Sequence, residues 1–470
     1  MIVSRAFAGK RYAVLGLARS GLATVESLHA SGAQVTAWDR RPGPREAVAA
    51  IAAIGDPMEI DLAGFEAVVV SPGVPLNTHP LVERARAAGV PLIGDIELFA
   101  QARADLPPHK VVGITGTNGK STTTALIHHI LKTAGVPTTM GGNIGLPILA
   151  QDPLPVGGVY VLELSSYQID LTQSLDCDVA VLLNVTPDHL DRYESFEGYA
   201  ASKFRLVQMQ SETHSWVSTD DPVVRKLDYD AENLVGPDGG DRAFTVTTAS
   251  ADGLVSVFEG MAQTRTGRVG FQRNWPSLQG PHNAQNAAAA IATCHLMGLE
   301  LDSISKGLRT YPGLPHRMER VAEHDGVLFV NDSKATNPAS TAPALAAWPP
   351  NPGKRVHWIC GGLPKGDDLD ECAPNFGNIA AAYTIGEAGP MFAELLEPHM
   401  HVERCELLCE AVKRAIAAAR PGDVVLFSPA CASFDQFRDY ESRGDSFRKL
   451  VAELTGSVMP PAEFAGRSAA

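Results

Sequence analysis

Three successive α/β domains are predicted for this 470-residue chain: a Rossmann-like N-terminal domain, a P-loop-type central domain and a Rossmann-like C-terminal domain. Three observations predict them. Apolar runs of strand length alternate with helical stretches in three blocks. Two strand ends open into glycine-rich turns that start a helix, one at Gly16 to Gly21 and one at Gly113 to Ser121. Proline-rich stretches, Asp105-Leu106-Pro107-Pro108 and Tyr311-Pro312-Gly313-Leu314-Pro315, separate the blocks, because proline stops helix and strand alike. The expected domains are residues 1–108, 109–313 and 314–470.

In the first block, 11–17 reads as an apolar strand, and the turn after it opens a helix to about Ala30. A second strand, 34–38, ends at Asp39, an acidic residue 23 positions after Gly16, as in a dinucleotide-binding βαβ unit. Ala18 stands where that fingerprint has its middle glycine, and a Cβ there hinders a close approach to a pyrophosphate. A third strand, 67–70, runs into Ser71-Pro72-Gly73.

The second block begins with an apolar strand at 110–112, the second glycine-rich turn and a helix over 122–131. Two further apolar runs, at 159–164 and 179–185, read as buried parallel strands with polar groups at their carboxyl ends. A polar, glycine-rich region over 211–273 reads as shorter strands and turns, and an alanine-rich helix follows over 283–297. The third block predicts strands at 327–330, 355–359, 381–385 and 424–427, with helices between them such as 409–419. The tail from Ser457 carries no clear pattern.

Composition narrows the function classes. The chain is 45% hydrophobic and 20% charged, with a formal net charge of −14 and no long basic run. That argues against nucleic-acid and anionic-membrane partners. The N-terminus lacks an apolar signal core, no apolar run reaches membrane-spanning length, and the seven cysteines include no Cys-x-x-Cys pair, so a cytoplasmic location is expected. A monomer is the expected state, although none of these observations fixes it. His401, Cys405 and Cys409 lie four apart, which reads as one helix face with two half-buried cysteines, since no fourth metal ligand accompanies them.

Gly113 to Thr122, GITGTNGKST, carries the strongest chemical signal. A Gly-Lys-Ser run between a strand and a helix makes a phosphate cradle. Backbone N–H groups and the helix N-terminus favour anions, Lys120 reaches the β/γ-phosphates, and the Ser121 hydroxyl suits Mg²⁺. The spacing departs from the strict P-loop pattern, which wants glycine where Ile114 stands. A nucleoside triphosphate, ATP, is the expected ligand. Functional groups in open α/β sheets sit at strand carboxyl ends, and Glu163, Asp188-His189, Asn331 to Lys334 and Ser428 to Ala430 all do. Glu163 stands where a P-loop enzyme keeps an acidic Mg²⁺ ligand.

The chain resembles the Mur ligase family of peptidoglycan synthesis over nearly its whole length. TGTNGKST (Thr115 to Thr122) is shared with the folylpolyglutamate ligases, whereas NVTPDHLDRY (Asn184 to Tyr193) and GPHNAQN (Gly280 to Asn286) are family-level. NDSKATNP (Asn331 to Pro338) and SPACASFDQF (Ser428 to Phe437) are similar to the member that adds D-glutamate. The resemblance implies ATP-dependent amide ligation of D-glutamate to UDP-N-acetylmuramoyl-L-alanine through an acyl phosphate. A sister ligase or folylpolyglutamate-type ligase adding another amino acid, and a non-ligating ATP-binding regulator, are the alternatives.

It also implies residue roles. Gly116, Thr117, Asn118, Gly119, Lys120, Ser121 and Thr122 would hold the ATP phosphates, with Asn286, Arg317 and Asp332 on the nucleotide. Ser121, Glu163, His189 and Lys203, the last as a CO₂-derived carbamate, would hold two Mg²⁺ ions. Lys120, His189 and Lys203 would be catalytic. Ser20, Asp39, Arg40, Ser71, Pro72, Gly73 and Asn143 would bind the UDP substrate. Lys334, Thr336, Lys365, Ser433 and Tyr440 would hold D-glutamate. Arg40 and Tyr440 depart from the threonine and phenylalanine of the family pattern.

Overall fold

The computed structural model describes residues 1–188, 192–229, 242–251 and 253–457. Three sheets form, carried by two compact units, Met1–Tyr311 and Pro312–Ala470.

The first sheet has β1 (Arg11–Leu15), β2 (Gln34–Trp38), β3 (Ala53–Ile54), β4 (Ala67–Val70) and β5 (Leu92–Ile93), all parallel in the order β3-β2-β1-β4-β5. The order reverses between β1 and β4. That switch point brings the turn after β1 beside Ser71-Pro72-Gly73 after β4.

The second sheet has nine strands: β6 (His109–Thr115), β7 (Thr138–Gly142), β8 (Gly158–Glu163), β9 (Val179–Leu182), β10 (Ser215–Thr219), β11 (Ala243–Thr247), β12 (Val255–Phe258), β13 (Met261–Thr264) and β14 (Gly267–Phe271). The order is β14-β13-β12-β11-β10-β9-β6-β8-β7, and only β13 pairs antiparallel with its neighbours. β6, β8 and β9 are interior strands, and their apolar runs are buried, as expected for strands covered on both faces. Their carboxyl ends deliver the glycine-rich turn, Glu163 and Asn184 to one edge.

These two sheets share one continuous apolar cluster, which runs from Ile2, Phe7 and Phe99 through Tyr160 to Phe204 and Val224. The short helix Arg103–Asp105 sits where the first linker was expected. Asp105 is tied back to Ser4 and Arg5, at 2.7 and 2.8 Å.

The second unit has one six-stranded sheet of β15 (Glu319–His324), β16 (Val327–Asn331), β17 (Val356–Gly361), β18 (Ile379–Ile385), β19 (His401–Glu406) and β20 (Val424–Phe427). The order is β15-β16-β20-β17-β18-β19, with β15 antiparallel at one edge. One apolar cluster covers each face. β19 corrects an expectation. His401 and Cys405 lie on a strand and Cys409 on the helix after it, Leu408–Ala418, so no helix face aligns the three. No described helix is long and apolar enough to cross a membrane.

Candidate active site

The phosphate cradle is built by glycine and asparagine. Gly116 and Gly119 have φ of 149° and 82°, and a Cβ on Gly119 would meet Asn286 Oδ1 at 2.2 Å. Only glycine fits both the left-handed backbone and the close approach. Gly119 caps the helix Lys120–Thr133, so Lys120, Ser121 and Thr122 form its first turn with N–H groups aimed outward. Asn184, just past β9, clamps the loop from below. Its carbonyl accepts from the Thr117 N–H at 2.8 Å, its Oδ1 accepts from the Asn118 N–H at 2.8 Å, and its Nδ2 donates to Asn118 O at 3.1 Å. Thr117 Oγ1 adds contacts to Thr186 and to the Tyr199 hydroxyl at 3.2 Å. Asn286 Oδ1 lies 3.4 Å from Thr123 Oγ1.

Two lysines meet at this loop. Lys120 Nζ donates to Gly116 O and Thr117 O, each at 2.8 Å. Lys203 is 2% exposed, and its Nζ also donates to Gly116 O, at 2.9 Å, while lying 4.6 Å from the Tyr199 ring centroid. Burial, and then the like charge of Lys120, pull the Lys203 amine down to about 7.

Glu163 ends β8 and is 2% exposed. Asn143 Nδ2 donates to its Oε1 at 3.0 Å, and the Asn143 N–H donates to its backbone carbonyl at 2.8 Å. Its Oε2 is buried and makes no hydrogen bond. A buried carboxylate oxygen without a donor is costly unless a cation completes it. This fits a hard divalent ion such as Mg²⁺, for which oxygen is the preferred ligand. His189, another of the four predicted ligands, lies outside the described residues.

In the first sheet Asp39 plays a local role. Its Oδ2 accepts from the Leu17 N–H at 2.8 Å, and its Oδ1 accepts from the Arg41 N–H and Nε at 2.9 and 3.2 Å. Burial pushes Asp39 up, but these bonds outweigh it and hold the carboxyl at about 2. Arg41 therefore takes the contact with Asp39, and Arg40 is exposed. Ser71 Oγ donates to Gly16 O at 2.8 Å, and Gly21 packs against the same carbonyl. Ser20, Ser71 and Pro72 line a small recess above buried Asp95. Arg192, from the NVTPDHLDRY stretch, donates to Val74 O and Gly73 O at 3.1 and 3.3 Å and lies over Tyr167 at 4.5 Å.

The second unit gathers the remaining predicted residues. Lys334 Nζ lies 3.9 Å from the Tyr440 ring centroid, and Lys365 Nζ donates to Thr336 Oγ1 at 3.2 Å. Ser433 is 2% exposed. Asp332 accepts from Ser428 Oγ at 2.7 Å and from the Met318 N–H at 3.1 Å. Burial nevertheless pushes its carboxyl up to about 7. Arg317, also assigned to the nucleotide, is half-buried next to His316 in this unit.

Sequence reasoning gave no role to Asn184, Tyr199, Arg41 or Arg192. Asn184 and Arg192 begin and nearly end a motif in which only Asp188 and His189 were singled out.

Three family models match the chain: the Mur ligase MurD-like N-terminal domain over residues 10–94, the Mur ligase middle domain over 114–294 and the Mur ligase glutamate ligase domain over 316–431. The chain belongs to the Mur ligase family. It is 63% identical over 456 residues to the UDP-N-acetylmuramoylalanine–D-glutamate ligase of Novosphingobium aromaticivorans, covering 97% of each chain. It is 58% identical to the protein of the same name from Sphingopyxis alaskensis, covering 97% of this chain and 100% of that one. The Zymomonas mobilis protein, also of that name, is 53% identical at 97% and 100% coverage. Among solved structures, MurF ligase from Thermotoga maritima in complex with ADP aligns at a TM-score of 0.57 with 18% identity, over 95% of this chain and 96% of that one. The UDP-N-acetylmuramate–alanine ligase of Thermotoga maritima aligns at 0.57 with 16% identity, over 95% and 99%. These two likenesses establish the fold.

Proposed function

We propose that the protein joins D-glutamate to UDP-N-acetylmuramoyl-L-alanine at the expense of ATP, with ADP and phosphate released, in cytoplasmic peptidoglycan precursor synthesis. The observation that carries this reading is the phosphate cradle with Lys120 at its helix start and a donor-less buried Glu163 oxygen beside it, in a chain 63% identical to a protein named for that reaction. In the proposed reaction, the L-alanyl carboxylate attacks the γ-phosphorus in line, ADP leaves, and an acyl phosphate forms. The amine of D-glutamate then attacks the acyl carbon. The tetrahedral adduct expels phosphate, and the amine proton is lost. Such transfers depend mainly on positioning and charge stabilisation, which the loop N–H groups and Lys120 supply.

Ser121, Glu163, His189 and a carbamate on Lys203 would hold two Mg²⁺ ions. When bound, these neutralise charge between anionic reactants. The carbamate part rests on the amine of Lys203. A lysine drawn down to about 7 is largely neutral just above that pH, and only a neutral amine adds to CO₂ and releases a proton. Residues Ser20, Asp39, Arg40, Ser71, Pro72, Gly73 and Asn143 are proposed for the UDP substrate. Lys334, Thr336, Lys365, Ser433 and Tyr440 are proposed for D-glutamate. The domain boundaries 1–108, 109–313 and 314–470 and a monomeric state belong to the same proposal.

The test is phosphate release from ATP across a panel of D- and L-amino acids, with UDP-N-acetylmuramoyl-L-alanine present and absent. Release that requires both D-glutamate and the UDP substrate supports the proposal. Release that prefers another amino acid identifies a sister ligase, and release independent of any amino acid points to a regulator.

A further inference from the structure

We propose that Arg443 is the positioning residue of the amino-acid pocket: its buried guanidinium ties the segment that carries Lys334 to the one that carries Ser433, reaches Tyr440 through Ser333 and packs against the segment that leads to Lys365, and so fixes the spacing between the groups proposed to meet the two carboxylates. The inference rests on the D-glutamate reading of that pocket.

The side chain is one of the largest that the protein buries, with 1% exposure. All four of its hydrogen bonds go to oxygens of two loops. Nε donates to Ser333 Oγ at 3.1 Å, and one terminal nitrogen, Nη2, donates to Ser333 O at 2.9 Å and Cys431 O at 3.0 Å. The other, Nη1, donates to Ala432 O at 3.0 Å. Ser333 precedes Lys334, and Ala432 precedes Ser433. Ser333 Oγ then donates to Tyr440 O at 2.8 Å, and the ring of Tyr440 underlies Lys334. On the remaining side is Gly362, where an added Cβ would stand 3.0 Å from Nη1 and 2.4 Å from Ala432 O. The next residue, Leu363, pairs with Ala432 in an isolated bridge, and that strand of chain leads to Lys365. One guanidinium thus sits where every segment of the pocket converges.

Little about the position favours a charge for stability: the Phe427 ring centroid lies 5.9 Å from the guanidinium carbon, and Asp435 attracts it without a hydrogen bond. None of the four hydrogen bonds reaches a carboxylate. Asp435, the acid with electrostatic reach, accepts instead from the Glu387 N–H at 3.1 Å. Burial pulls the guanidinium down to about 10. Arg443 also occupies the first turn of the helix Tyr440–Thr455, the end where the backbone dipole disfavours a cation. A buried cation that no carboxylate hydrogen-bonds is expensive. A planar fork with five donors is, however, the side chain best able to fix several carbonyls at once, and lysine cannot copy it. Its charge also suits a neighbour that receives a dianion.

The test compares full-length wild type with Arg443→Lys in D-glutamate-dependent ligation, with thermal unfolding recorded for each. Arg443→Lys keeps the charge but loses the fork. The expected result is a KM for D-glutamate raised about tenfold, the loss of one or two charge-assisted hydrogen bonds. The KM values for ATP and for UDP-N-acetylmuramoyl-L-alanine stay within about twofold, because only one substrate's site is disturbed. The preference for D-glutamate over the shorter D-aspartate falls as well, an effect that a general loss of stability does not produce. An unchanged D-glutamate KM, or a parallel rise in all three KM values, overturns the inference. If Arg443→Lys does not fold, Ser333→Ala removes the Nε acceptor and the link to Tyr440 O while leaving the guanidinium in place. The same selective rise in D-glutamate KM is then expected, and its absence overturns the inference equally. A wild-type protein with no D-glutamate-dependent turnover would instead sink the functional reading on which it rests.

Discussion

Two ammonium groups, those of Lys120 and Lys203, donate to the same carbonyl oxygen, that of Gly116. Like charges so placed cannot both remain fully protonated without penalty, and the more buried one yields. This gives the two lysines different tasks and different tests. Lys120→Ala is expected to fold normally and to lose activity by at least about a hundredfold, as happens when one charge-stabilising donor is removed from a transition state. Wild-type turnover at saturating ATP would contradict the phosphate role. For Lys203 the prediction concerns stability against pH. Its folded-state pKa, about 7, lies below that of a free lysine, so between about pH 7 and 10 the unfolded chain binds more protons and stability rises with pH. In CO₂-depleted buffer, Lys203→Met is therefore expected to be more stable than wild type at pH 7, with the gap closing toward pH 10. A gap that stays constant or widens over that range contradicts the burial argument. Lys120 was legible from sequence because glycine flanks it at a strand–helix junction. The state of Lys203 was not, because it depends on Tyr199 and Gly116, which are distant in sequence and meet it only in the fold.

The elements that hold these residues are short and specified by few positions. The phosphate loop keeps its shape because Gly119 is left-handed against Asn286 and because Asn184 accepts two of the loop's N–H groups. Gly119→Ala is expected to leave the cores intact yet weaken ATP binding about tenfold or more, since a non-glycine residue there costs about 1–2 kcal/mol before the clash with Asn286 is counted. Calorimetric titration with ATP measures this directly, and unchanged affinity would show that the loop does not hold the nucleotide. The central strands were readable as apolar runs because helices cover both faces. β2, β4 and β20 fall where the pattern placed them, at Gln34–Trp38, Ala67–Val70 and Val424–Phe427. β19 was not readable. It is an edge strand of sequence His-Val-Glu-Arg-Cys-Glu, and a half-solvated edge carries charges that erase the apolar signature. The Asn184 clamp was hidden for another reason: its chemistry comes from a backbone carbonyl as much as from a side chain.

At the scale of the molecule, the three blocks of the sequence became three sheets in two compact units. The first two sheets share one apolar cluster, which no periodicity within either block could reveal. Each unit has its own core, so calorimetric unfolding is expected to resolve two transitions, with UDP-N-acetylmuramoyl-L-alanine raising the one that belongs to Met1–Tyr311. A single transition that the ligand shifts as a whole would contradict this independence. The proposed reaction adds one enantiomer of one amino acid. Lys334 and Lys365 can pair two carboxylates, and Thr336 and Ser433 can hydrogen-bond them. In the proposed reaction the amine must also attack the acyl carbon, so three points of the amino acid are fixed. The mirror form satisfies two and misdirects its nucleophile, and small misplacements of a nucleophile cost large factors in rate. The most direct measurement is the mass-resolved product formed from ATP, UDP-N-acetylmuramoyl-L-alanine and equal concentrations of isotopically distinguished D- and L-glutamate. D-glutamate ligation gives product carrying the D-isotope almost alone, whereas comparable incorporation of both, or of neither, overturns the proposed function.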